Sequence, residues 1–176
     1  VRQESVGPSI FGEGQIDFFA EHAHQIFCED LLQQGYRYGP VLSEEQKTHP
    51  ALVPYEQLSE DLKQSNRDFV RDIPRKIASA GYSLYPKQEA DPQIDFPGSE
   101  LEILAEMEHE RWVRNMRRAG WRAGPETDPG RKIHAGIVEW GELSTDEREK
   151  DRLMVRAIPR ILALAGYTIA PLEDQA

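Results

Sequence analysis

Four histidines stand at two matched spacings. His24 follows Glu21 by three residues and His109 follows Glu106 by three, while His49 and His134 each come 25 residues after one of those helix-type histidines. Imidazoles and carboxylates are the groups of metal sites and of acid-base catalysis. No H-E-x-x-H pattern accompanies them, a lone cysteine makes no metal knuckle, and neither motif supplies a third converging ligand. The structural role is simpler: a buried imidazole needs hydrogen-bonding partners, and each helix histidine, His24 and His109, is suited to tie down its loop through the loop carbonyls, with His49 and His134 doing similar work. Cys28 lies one turn after His24, a spacing that suits a thiol nucleophile and its base, but no orienting third group or oxyanion donor is identifiable. A phosphate-binding P-loop, a glycine-rich dinucleotide turn and a G-x-S-x-G elbow are absent. These residues predict a non-catalytic protein without metal or cofactor.

The remaining chemistry is aromatic and cationic. Phe27 and Trp112 each stand three residues after a helix histidine, on or beside an apolar stripe. Such rings are either core aromatics or, if two equivalent ones face each other, a flat clamp for a planar ligand. From Arg111 to Lys132 there are seven basic residues against two acidic ones, a local balance of +5 in a chain whose formal net charge is -10. The matching stretch of the first half, Ile26 to Lys47, balances at −2, with two basic residues against four acidic. The basic segment reads either as a solvated helix face, with Glu106, Glu108 and Glu110 pairing with Arg111 and Arg114, or as a phosphate-binding surface. In the second reading Arg114, Arg117, Arg122, Arg131 and Lys132, with Arg37 and Lys47 from the first half, are the ligand-binding cations beside Phe27 and Trp112.

The elements that must position these groups are written twice. FAEHAHQIFCEDLLQQGYRYGP at Phe19 to Pro40 returns, altered, as LAEMEHERWVRNMRRAGWRAGP at Leu104 to Pro125. At the same offset of 85 residues, Lys47 pairs with Lys132, His49 with His134, Ser59 with Ser144, Ile73-Pro74-Arg75 with Ile158-Pro159-Arg160, and Gly81-Tyr82 with Gly166-Tyr167. A fixed period of this kind means two copies of one fold unit. The apolar spacing from Ile16 to Gln34 predicts a helix closed by Gly35. A long proline- and glycine-interrupted connection follows, and then a second helix from Ser59 to Gly81 that Pro74 should kink. Tyr82 to Tyr85 reads as a short extended piece. Copy two repeats this plan, with Pro159 in its closing helix. The resulting division is 1–15 a linker or tail, 16–90 the first repeat, 91–100 a linker and 101–176 the second repeat. The class is mainly α, with short strands in the connections.

The ordered set A-E-x-x-H-x-x-W, G-W-x-x-G-P, K-x-H, V-x-[YW]-x-x-L-S and a closing helix ending in A-G-Y resembles the RyR domain. That repeat is found in tandem pairs in the cytoplasmic shell of ryanodine receptors and in assorted bacterial proteins. The resemblance implies two repeats packed about an approximate twofold axis. It also implies a regulatory role: in ryanodine receptors the tryptophan at the position of Phe27 and Trp112 is associated with gripping an adenine nucleotide. The expected ligand is therefore a nucleotide-like, phosphorylated molecule held between the copies, with an adenine base the one the resemblance implies. Phe27 departs from the tryptophan, and a phenyl ring stacks less strongly than an indole. Bacterial relatives are attached to transport or signalling domains, so this chain reads as the sensor of a larger protein. A protein-protein interaction module is the alternative, with the same aromatics and arginines meeting a partner chain.

Composition sets the outer limits. With 176 residues, a fully independent core in each half is marginal, so the halves are expected to pack together. A hydrophobic fraction of 39% with 30% charged residues is that of a globular chain. The acidic balance argues against duplex nucleic acid and against direct contact with an anionic membrane. A single cysteine and no apolar leader point to a reducing, cytoplasmic location, and the start at Val1 suggests a piece of a longer protein.

Overall fold

A computed structural model describes residues 10–172. Four long helices carry the mass: α1 (Ile16–Gln33), α2 (Glu60–Ser79), α3 (Gly98–Arg118) and α4 (Thr145–Leu164). Six short strands complete it: β1 (Arg37–Tyr38), β2 (Thr48–His49), β3 (Tyr82–Pro86), β4 (Arg122–Ala123), β5 (Ile133–His134) and β6 (Tyr167–Pro171). The order helix, strand pair, helix, strand is the same in both halves, as the 85-residue offset requires.

Local chemistry sets the boundaries. Ser59 accepts the Leu62 amide at the start of α2. Ser144 and Glu147 form a reciprocal capping box at the start of α4, which satisfies two donors that no helix can satisfy internally. All four helices stop at a glycine in the left-handed region: Gly35, Gly81, Gly120 and Gly166, with φ between +77° and +86°. Pro74 and Pro159 lie within α2 and α4, and both helices continue across them. α3 begins at Gly98, within the stretch read from sequence as a linker. The first fifteen residues are also not all tail. Ile10 and Phe11 are buried in the core and Glu13–Gln15 form a 3-10 turn, while residues 1–9 fall outside the described part.

The connections are tight parallel strand pairs, β1 with β2 and β4 with β5. They leave no room for a side chain at Gly39 or Gly124: a Cβ would come within 2.6 Å of Thr48 Cβ and 2.3 Å of Ile133 Cγ2. This close approach is why the G-P of each motif is placed where it is.

The two halves share one core. Phe19, Ala20, Ala23, Val70, Ile73 and Ile77 of the first repeat join Leu104, Ala105, Val155, Ile158, Ile161 and Leu162 of the second. Each first helix packs on its own second helix and on the second helix of the other repeat. β3 and β6 form an antiparallel pair between the repeats, with Leu84 opposite Ile169 and Tyr82 opposite Pro171. Ile169 is the counterpart of Leu84, so a local twofold axis runs through that pair. Pseudo-twofold packing is thus written into the register.

Candidate ligand surface between the two loops

In both repeats the helix histidine holds the connection in place. His24 Nε2 donates to the Val53 carbonyl and His109 Nε2 to the Val138 carbonyl, each at 2.8 Å. The loop histidines bind backbone in their turn: His49 Nδ1 accepts the Ala51 amide and His134 Nδ1 the Gly136 amide, both at 3.0 Å. With Nδ1 used as an acceptor, each loop imidazole is neutral and carries its proton on Nε2. Burial, with Lys150, His134 and His24 nearby, pushes His49 down to about 4, and burial with Lys150 also lowers His134. The two loop histidines therefore lie within electrostatic reach of one another, and the charge of Lys150 on α4 is felt by both. Lys150 also reaches Glu44 in the first repeat's loop, at 3.3 Å.

Phe27 and Trp112 are half-buried, each within its own repeat. Phe27 meets His49 edge-to-face at 5.4 Å between ring centroids, and Trp112 meets His134 edge-to-face at 4.9 Å while stacking on His109 at 5.8 Å. Among the described residues no ring contact joins Phe27 to Trp112. The tie between α4 of the second repeat and the loop of the first is the Lys150–Glu44 ion pair.

The cations read from sequence divide into groups. Arg37, Arg114, Arg117, Arg122 and Arg131 are exposed and form no ion pair among the described residues. Lys47 lies over the Tyr36 ring at 5.0 Å, and Lys132 donates to the Ala119 carbonyl at the end of α3 at 2.7 Å. The solvated-face reading needs correction at Arg111, which is turned inward. It is 6% exposed and pairs with Glu108, itself 3% exposed, between α3 and α2. Lys150 was missed because neither its spacing nor a motif marks it; its counterpart in repeat one is Ser65, and only the packing of α4 on repeat one brings it to the loops.

Two further features bear on chemistry. His109 Nδ1 lies 3.5 Å from Asp151, whose counterpart in the first repeat is Asn66. Burial raises Asp151. Burial opposes charge on His109 too, but hydrogen bonds with Asp151 and Val138 outweigh it and raise the imidazole. Cys28 Sγ is 3.3 Å from His24 Nε2. That nitrogen already gives its proton to Val53 and cannot accept the thiol's, and burial raises the thiol.

A concavity of about 230 Å³ lies elsewhere, lined by Lys87, Asp91, Ile94, Arg160 and Tyr167 among others, and includes neither Phe27 nor Trp112. Among the described residues no group of three or more His, Cys, Asp or Glu is arranged to hold a metal ion, and no helix is long and apolar enough to cross a membrane.

The RyR domain family matches residues 13–86 and again 99–171. The chain belongs to that family. The two matched segments coincide with the two structural repeats, so the tandem pair is one RyR domain followed by a second, packed on a shared core.

Proposed function

We propose that this tandem RyR pair is a non-catalytic sensor module that receives a nucleotide-like phosphorylated ligand on the surface between its two loops. The observations behind the proposal are the two matched aromatic boxes, Phe27–His49 and Trp112–His134, and the Lys150 ammonium of α4, which reaches across to Glu44 in the loop of the first repeat. The rings offer flat faces for a base, the loop imidazoles offer Nε2–H donors, and the Lys150 ammonium offers charge for a phosphate. The exposed arginines at the end of α3 and in the following loop widen the positive field for an anionic ligand. The ligand would lie on the surface and not in an enclosed cavity.

Calorimetric titration with adenosine and with its 5′-phosphates tests this reading. Trp112→Ala is expected to lose roughly 1 to 3 kcal/mol of binding for both ligand types, the usual scale for a base stacked on an aromatic ring. Lys150→Ala should weaken only the phosphorylated ligands and reduce the salt sensitivity of their binding. Equal losses for both ligand types at Lys150, or no binding by the unaltered chain at millimolar concentration, would remove the nucleotide reading.

A second reading has its own support. Leu32, Tyr38 and Val41 are 59%, 59% and 61% exposed on repeat one, where repeat two carries Arg117, Ala123 and Glu126. Apolar exposure at these three positions in one copy alone suits contact with another protein, and a domain of larger receptor-type proteins is consistent with an interaction module.

A further inference from the structure

The twofold axis through Leu84 and Ile169 relates two inter-repeat interfaces that ought to be alike, α2 on α3 and α4 on α1. Their chemistry is opposite. Between α2 and α3, Lys76 is 0% exposed, and its ammonium bridges Asp72 at 2.7 Å on its own helix and Glu108 at 2.8 Å on the other repeat. Arg111 holds Glu108 with its Nε and Nη2 and donates through Nη1 to the Ser65 carbonyl of repeat one at 3.2 Å. Asn115 donates to Asp68 at 2.8 Å. No buried side-chain polar atom among the described residues is left without a partner. At the equivalent places between α4 and α1 stand Ile161 for Lys76, Ala157 for Asp72, Ala23 for Glu108 and Ile26 for Arg111, all in the apolar core.

We infer that this strip is a recognition code: it selects repeat two as the partner of repeat one and rejects like-with-like pairing, whether within one chain or between copies. If repeat one met a second repeat one, Asp72 and Lys76 would press on Ala23 and Ile26, and Lys76 would lose Glu108. If repeat two met a second repeat two, Glu108 and Arg111 would press on Ala157 and Ile161, losing Lys76 and the Ser65 carbonyl. Either arrangement buries charge against aliphatic surface with its cross-partner missing, while the unlike pair satisfies every group. Buried ion pairs add little net stability against apolar replacements of similar volume, so discrimination is the physical return of this strip. Two repeats from one ancestral unit would otherwise present interchangeable faces to every other copy.

The register supplies the readout. In an unlike pair residue 84 lies opposite residue 169, whereas in a like pair it would lie opposite another residue 84. The full chain carrying Cys28→Val and Leu84→Cys is refolded at high concentration and oxidised, beside the same chain with Asp72→Ala, Lys76→Ile, Glu108→Ala and Arg111→Ile, which copy the apolar interface. The four-substitution chain should form 84–84 disulfide dimers at least tenfold more than the chain with the ionic strip. Equal yields from two folded chains overturn the inference. Should the four-substitution chain fail to fold, chains carrying Leu84→Cys and Ile169→Cys, both with Cys28→Val and the ionic strip intact, are refolded together. Intermolecular links confined to 84–169, or none, agree with the inference. Like links making up half of the total, the share expected without preference, overturn it.

Discussion

At the scale of single residues, what separates the candidate surface from an ordinary loop is the state of its imidazoles. His49 gives Nδ1 to a backbone amide, and burial beside Lys150 keeps it neutral down to about pH 4, whereas an unfolded histidine titrates near 6.5. Between those values the unfolded chain binds a proton that the folded chain refuses, so folding stability must fall as pH drops from about 6.5 toward 4. The whole displacement amounts to at most roughly 3 to 4 kcal/mol. His49→Asn, which keeps an acceptor for the Ala51 amide, should flatten that slope in chemical denaturation at several pH values; an unchanged slope would mean that other groups dominate. His109 runs the other way. Its folded value is raised, so its contribution is present below the ordinary histidine value and is lost as pH rises through the folded one. The two helix histidines hold matched loops, yet only His109 is coupled to a carboxylate.

At the scale of elements, two kinds of ion pair do different work. Arg67 with Asp17 ties α2 to α1, and Arg152 with Glu102 repeats that tie between α4 and α3 at the same offset. Their acidic partners are 67% and 44% exposed, so Arg67→Ala and Arg152→Ala should each cost no more than about 1 kcal/mol in denaturant unfolding. Glu108 is another matter, because its removal strands Lys76 and Arg111 in the interior. Glu108→Ala should cost roughly 3 to 5 kcal/mol, and a cost near that of the surface pairs would show that water enters the α2–α3 seam. Burial opposes ionisation of Glu108, but Arg111 and Lys76 outweigh it and lower its pKa below the ordinary 4.5. Its contribution is therefore complete above that value and is lost as pH falls through the lower folded one, which makes this seam an acid-sensitive contact between the repeats. The opposite seam is apolar. Ile161, fully buried, should lose roughly 2 to 4 kcal/mol on truncation to alanine, through lost contacts and the cavity left behind.

At the scale of the molecule, the two RyR domains share one core and one strand pair. Their helices alternate around a single core, and β3 and β6, far apart in sequence, complete each other's hydrogen bonds. Neither strand has a partner inside its own repeat. Hydrogen exchange should therefore protect the strand amides within residues 82–85 and 167–170 to the same degree, opening together with the helices. Markedly faster exchange of either strand would mean that one repeat opens alone. A ligand bridging the two loops would bear on this same core, because the loops are anchored by His24 and His109 to the helices that build it.

The sequence alone determined the repeat, because a fixed 85-residue offset in histidines, glycines and prolines admits one plan written twice. It also determined the helices, since capping serines, terminal glycines and apolar spacing are local signals. The partners of His24 and His109 were legible as loop carbonyls because a buried imidazole has few other choices. Tertiary structure decided which charges face inward. Glu108 and Arg111 have the spacing of an ordinary solvated pair, and nothing local reveals that Lys76, 32 residues upstream of Glu108, meets them in the interior. Ile10 and Phe11 look like tail because burial is conferred by distant surfaces. Lys150 looks like one more helix lysine until α4 is laid against the first repeat. Local spacing encodes elements, whereas charge pairing across an interface is a property of two surfaces that only the packed molecule brings into contact.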